Sequence, residues 1–199
     1  MVTTDTRTRI LDAAQELFAA KGFEGTSVRE ITRRADVNVA AIHYHFGSKE
    51  QVLRGVTDRI VEPLNQRRFE LLDAAPEPAA IEALLDAFIR PDFETLLDLP
   101  PSAARFLGRT YTDQTPWIQE MARQQFEEAG RRFFPVLAAA LPHLEPEDLA
   151  WRMAQTAALI VHTFATWPEE GMTDVEAETS LRRLIAFVTP ALSRQGATL

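Results

Sequence analysis

Apolar positions recur along this chain with the period of a helix. Ile10, Leu11, Ala14, Leu17 and Phe18 fall at i, i+1, i+4, i+7 and i+8, one face of an amphipathic helix. Lys21 and Gly22 close it with a basic last turn and a glycine stop. Thr26 and Ser27 are hydroxyl caps for a short second helix; Ser27 and Glu30 have capping-box spacing, and Val28, Ile31 and Ala35 point inward. Asp36 breaks that helix, and Asn38 caps a third short one from Val39 to Tyr44. Gly47 breaks the chain again, and Ser48 with Gln51 has the spacing of another capping box. A long fourth helix runs from Lys49 towards Ala74, with Val52, Leu53, Val56 and Ile60 inward. Pro63 lies inside it and is expected to bend or split it.

Past Pro76 and Pro78, helical segments are predicted at 79–90, 92–99, 102–113, 116–141, 146–167 and 174–194. Prolines 91, 100, 101, 116, 142 and 168 punctuate them, and Pro135 is expected to kink the fourth of these six. No stretch alternates apolar and polar residues for long, so no strand is predicted and the fold class is all-α.

Thr26 to Lys49 carries the most specific chemistry. Two short capped helices joined by a tight turn at Ala35-Asp36-Val37 have the spacing of a helix-turn-helix. In such a unit the second helix enters the major groove of a DNA duplex and its first residues reach base edges. Ala40 and Ala41 are small enough for close approach, and a methyl group can touch a thymine methyl. Arg29, Asn38 and His43 supply hydrogen bonds, and Tyr44, His45 and Lys49 lie where phosphate oxygens would pass.

The stretch from Arg9 to Leu53 resembles the DNA-binding domain of tetracycline-repressor (TetR) family transcription regulators. The resemblance rests on Ile10-Leu11-Asp12-Ala13-Ala14 with Phe18, Gly22-Phe23, Thr26-Ser27-Val28-Arg29-Glu30-Ile31, Ala35, Val37, Ile42-His43-Tyr44-His45-Phe46, Lys49-Glu50 and Leu53. Two positions depart from the family pattern: Asp36 stands where glycine is usual, and His43 where tyrosine is usual. The resemblance implies that Arg29, Val39, Ala40, Ala41 and His43 hold base-facing positions. It places Thr26, Ser27, Asn38, Tyr44, His45 and Lys49 along the DNA backbone. It further implies an N-terminal three-helix helix-turn-helix domain over 1–48, linked by the 49–74 helix, and a C-terminal helical ligand-binding and dimerisation domain over 49–199.

Charge sharpens the picture. The net charge of −8 argues against a nucleic-acid binder until it is divided. Residues 1–60 carry 9 basic and 8 acidic side chains, whereas 61–199 carry 12 and 21. The acidity therefore lies in the last two thirds, and Thr26 to Lys49 is +2. The chain has no cysteine, which excludes disulfides, thiolate metal sites and a cysteine nucleophile. No secretion signal is expected at the N-terminus and no run of apolar residues reaches membrane-spanning length, so a cytoplasmic protein is expected.

Residues Met153 to Trp167 are apolar on nearly every side and rich in small residues, so a second cover is needed beyond the chain's own core. The expected cover is the same element of a second subunit. It forms a C2 homodimer through Ala154, Ala158 and Val161 with Leu181, Leu184, Ile185 and Val188 of the last helix. Between the two ends, Phe69, Leu72, Phe88, Phe93, Leu96, Leu97, Phe106, Trp117, Met121 and Phe126 are candidates to line an apolar effector pocket, with Arg109 and His162 as its polar members. Any one of these apolar residues can equally be plain core. His43 and His45 are two apart and diverge on a helix, so they are not read as a metal pair. No cofactor is expected, and no catalytic motif is present. The expected function is a ligand-responsive regulator, most simply a repressor. It would bind a pseudo-palindromic double-stranded operator as a dimer and be released by a small-molecule effector. A helical interaction module, or an enzyme without a recognisable motif, is the alternative.

Overall fold

The computed structural model describes residues 5–194, and among them nine α-helices and no strand. They are α1 (Thr6–Lys21), α2 (Val28–Ala35), α3 (Val39–His45), α4 (Lys49–Asp73), α5 (Ile81–Leu97), α6 (Ser102–Thr112), α7 (Pro116–Ala140), α8 (Pro146–Ala165) and α9 (Asp174–Ser193).

The local signals act where they stand. Ser27 forms a full capping box with Glu30, and Asn38 accepts the Ala41 N–H at 2.9 Å. Ser48 accepts the Gln51 N–H at 3.3 Å, half of the expected box. Thr173 and Glu176 make a second full box at the start of α9.

The prolines divide into two kinds. Pro63, Pro135 and Pro190 lie on exposed helix faces, where water can take the carbonyl that each releases, and α4, α7 and α9 run on through them. Pro91 is buried, yet the two segments predicted at 79–90 and 92–99 are one helix, α5. A side chain from α4 ties this stretch of α5 in place. Arg68 donates its Nε–H to the Phe88 carbonyl at 2.8 Å, beside the carbonyl that Pro91 leaves without a donor. Its other nitrogens reach Asn65 at 2.9 Å and Asp92 at 2.6 Å, so all three polar side chains are satisfied inside the core. Burial pushes the Asp92 carboxyl up, and the Arg68 guanidinium pulls it back.

Helix α1 is the hub of the N-terminal end. It packs on α2 and α4 through Ile10, Leu11 and Ala14, and on α6 through Phe18. Phe18 touches Phe23 on one side (ring centroids 5.9 Å apart) and Phe106 of α6 on the other (6.3 Å). Arg109 of α6 donates to the carbonyls of Ala19 (3.2 Å) and Ala20 (2.8 Å), two of the orphan acceptors at the end of α1. Arg59 of α4 bonds Asp12 (2.7 Å) and Gln15 (2.8 Å).

On its far side α6 rests on α8. Gly108 makes the approach possible, because a Cβ there would lie 2.4 Å from the backbone nitrogen of Ala165 and 2.5 Å from its Cα. α8 and α9 run antiparallel: Arg152 near the start of α8 donates to the Ala191 (2.6 Å) and Arg194 (2.7 Å) carbonyls at the end of α9. Gly108→Ala should lower stability by about 1–3 kcal/mol, because backbone cannot yield as a flexible side chain can. Thermal unfolding checks it, and an unchanged midpoint would show that α6 and α8 can part freely.

Candidate nucleic-acid interface

The helix-turn-helix is built from α2, the Asp36-Val37-Asn38 turn and α3. Ile31 and Ala35 of α2 and Ile42 of α3 are buried against α1 and its neighbours. With Ile42 inward, α3 turns Val39, Ala40, His43 and Tyr44 outward; Val39 is 41% and Tyr44 85% exposed. An aromatic side chain that open, on a helix whose opposite side is core, is a surface made for a partner.

The turn takes a left-handed step at Asp36 (φ 52°, ψ 53°), which explains why glycine suits this position and why aspartate is tolerated. Its N–H still reaches the carbonyls that end α2.

The exposed polar groups are partly committed. Ser27 uses its hydroxyl proton on Glu30 (2.8 Å) and accepts the Glu30 N–H. Hydrogen bonds from Lys21 and from the Ser27 backbone and hydroxyl hold the Glu30 carboxyl down to about 2. The Asn38 oxygen is the α3 cap, which leaves its amide N–H groups outward. His43 Nδ1 lies 3.1 Å from the Gly47 carbonyl. A carbonyl only accepts, so Nδ1 carries the proton and Nε2 is left for a partner.

Four expected contacts are differently placed. Thr26 is buried, and its hydroxyl donates inward to the Gly22 carbonyl (2.8 Å); it shapes the loop before α2 and does not face outward. Lys49 donates to the carbonyls of Phe23 (3.0 Å) and Thr26 (2.9 Å), with its nitrogen 3.9 Å from the Phe23 ring centroid. Two of its three protons hold the α1–α2 loop, and one remains. His45 is half-buried between Tyr44 and Phe46, and Ala41 is also half-buried. Ser27, Arg29, Asn38, Val39, Ala40, His43 and Tyr44 remain on the open face.

Residues 10–56 match the family model for bacterial regulatory proteins of the tetR family, and 86–191 match the tetracycline-repressor-like C-terminal domain. The second match alone covers more than half of the chain. The chain belongs to the tetR family. The transcriptional repressor NicS of Pseudomonas putida is 37% identical over 98 residues, 46% of each chain, so the match spans about half the length of that relative. YttP of Bacillus subtilis, a probable transcriptional regulator, is 29% identical over 150 residues, 69% of this chain and 70% of its own. In structure, the TetR-family regulator PfmR of Thermus thermophilus superposes with a TM-score of 0.68 at 19% identity, over 94% of this chain and 97% of that one.

In this tetR-family chain α5, α7 and α8 line a partly open apolar cavity of about 150 Å³. Phe88, Phe126, Phe133, Phe134, Leu137 and Met153 line it, with Gly130, Ala154 and Ala157. Of the residues expected around an effector, only Phe88 and Phe126 line this cavity. Phe93 is core against Trp167, Met121 is core, and Phe106 joins α6 to α1. Trp117 sets its edge against Phe23 at 4.9 Å, and Phe69 lies beneath Arg132 at 4.6 Å. Arg109 caps α1, and His162 is exposed on α8. Helical periodicity puts each of these on an inward face without saying which neighbour closes over it. The aromatic run at Phe126, Phe133 and Phe134 in α7 was the available signal for the cavity.

The outer face of α8 and α9 also differs from the expected one. Ala154 and Ala158 are exposed, and Val161, Leu184 and Ile185 half-buried, but Leu181 and Val188 are buried in the protomer, where α9 packs on α5. Trp151 (63% exposed) and Phe187 (69%) stand out instead, at the rim of a groove of about 440 Å³ between the two helices.

Asp36→Gly should raise stability by up to about 1 kcal/mol, because glycine enters the left-handed region without a Cβ penalty. Chemical denaturation checks this; a loss would mean that the Asp36 side chain contributes more than its backbone strain costs.

Proposed function

We propose that this protein is an effector-responsive transcriptional regulator, most simply a repressor, that binds a pseudo-palindromic DNA operator as a homodimer. The observation that carries the reading is the open face of α3, with Val39, Ala40, His43 and Tyr44 outward on a helix pinned by Ile42. Its size and residue types suit the major groove, where apolar groups meet thymine methyls and a ring nitrogen meets a base edge. The names of NicS and YttP support the same activity.

One α3 supplies few contacts, so affinity depends on a second copy one helical turn of DNA away. The exposed Trp151, Ala154, Ala158 and Phe187 supply the apolar area that joins two protomers into a bundle of α8 and α9 from each. An effector in the C-terminal domain acts only if it binds the released arrangement more tightly than the operator-bound one.

Selection from random duplex DNA, followed by gel shift across a salt series, tests the reading. The expected product is an inverted repeat bound with a steep salt dependence. His43→Ala should change base preference at one position of each half-site, at a cost of about tenfold in affinity. Lys49→Ala should weaken binding to all sequences alike by a similar factor, through its remaining proton and the loosened loop. Recovery of no preferred duplex, or an affinity indifferent to salt, would contradict the proposal.

A further inference from the structure

Gly130 sits in the middle of α7, where glycine is the costliest ordinary residue after proline. Nothing in the backbone requires it: its φ is not positive. Nothing around it requires it either, since a Cβ there would meet no atom within 4 Å. What borders it is the apolar cavity, and the neighbours across that space are the rings of Phe88, Phe126, Phe133 and Phe134 and the thioether of Met153.

We propose that Gly130 sets the size of a binding site for an uncharged apolar group no larger than a substituted phenyl ring. The assignment rests on the effector-responsive reading above and gives that effector a chemical class. Size comes from the volume: about 150 Å³ of space lined by aliphatic and aromatic side chains is enough for a benzene-sized guest. Charge comes from the lining, which consists of Phe, Leu, Met, Ala and Gly and offers no side-chain donor or counter-charge. A carboxylate or ammonium placed there would lose its hydration with nothing in return. The nearest buried charges, Arg68 and Asp92, are spent on each other. Arg68 lies against the Phe88 ring, 4.8 Å from its centroid, and neither it nor Asp92 lines the cavity.

Toluene and benzoate, equal in ring size and opposite in charge, are the probes. Calorimetry and thermal shift on the full chain should show toluene binding and raising the melting midpoint, with benzoate doing neither. Gly130→Ala should fold with a higher midpoint in the absence of ligand and bind toluene about fourfold more weakly, the worth of one methylene of space. Gly130→Leu should weaken toluene by about tenfold or more. If Gly130→Leu fails to fold, the Gly130→Ala series decides. Benzoate binding as well as toluene, or toluene affinity unchanged in Gly130→Ala, would overturn the assignment. Operator binding is followed separately by gel shift. No toluene binding alongside intact operator binding refutes the site and leaves the regulator reading standing. Toluene binding that Gly130→Leu blocks, with no effect on operator affinity, upholds the site and refutes its role as an effector site.

Discussion

Helix α1 is buried from two sides, and the rest of the arrangement depends on it. One face, through Ile10, Leu11 and Ala14, forms the floor on which α2, α3 and the first turns of α4 are laid. The other, through Phe18, is pressed against Phe106 of α6. Burial of an aromatic ring of this kind contributes about 2–3 kcal/mol, and Arg109 adds hydrogen bonds to carbonyls that would otherwise need water. The small α3 therefore does not hang from a linker. Its orientation is passed through α1 and α6 to α8, where Gly108 lets the backbones come into direct contact.

A second route runs along α4. Its first residue, Lys49, holds the loop that precedes α2; its sixth turn carries Arg68, which grips the carbonyl of Phe88 and the carboxylate of Asp92 on α5. Phe88 is also a wall of the apolar cavity. The buried ion pair is a poor source of stability, since desolvation offsets its attraction, but removing either partner strands a charge in the core. It fixes the register of α4 on α5. Under the proposed function, α4 is then the element through which a change at the cavity wall reaches the DNA-facing surface.

Much of this is legible in the chain itself, and what is legible is local. Caps are read from neighbours in sequence, so Ser27–Glu30 and Asn38 stand where their spacing put them, and the tight turn at Asp36 needed left-handed geometry. The break expected at Pro91 does not occur: α5 runs on through it, packed on α4 and α9 and tied to α4 by Arg68, more than twenty residues earlier. The same limit applies to the candidate pocket. Periodicity identified Phe93, Phe106 and Met121 as inward but could not separate a residue that closes on a neighbour from one that faces a void. Leu181 and Val188 belong to a stripe that served the protomer's own core, whereas Trp151 and Phe187, on the outer face, were hidden in sequence by ordinary amphipathic spacing. Thr26 was placed outward by the family resemblance and Lys49 by residue type as well; the Thr26 hydroxyl and two of the three Lys49 protons go to backbone carbonyls.

Under the proposed function, two rigidly held α3 helices from paired protomers occupy successive major grooves. The chain has no cysteine, so a single Arg33→Cys substitution on the exposed side of α2 places one spin label on each protomer. Pulsed electron paramagnetic resonance then reads the separation of the two heads on a selected operator. One narrow distance distribution is expected, corresponding to α3 centres about 34–36 Å apart. Absence of a dipolar signal, or a distribution that the operator leaves broad, would contradict it.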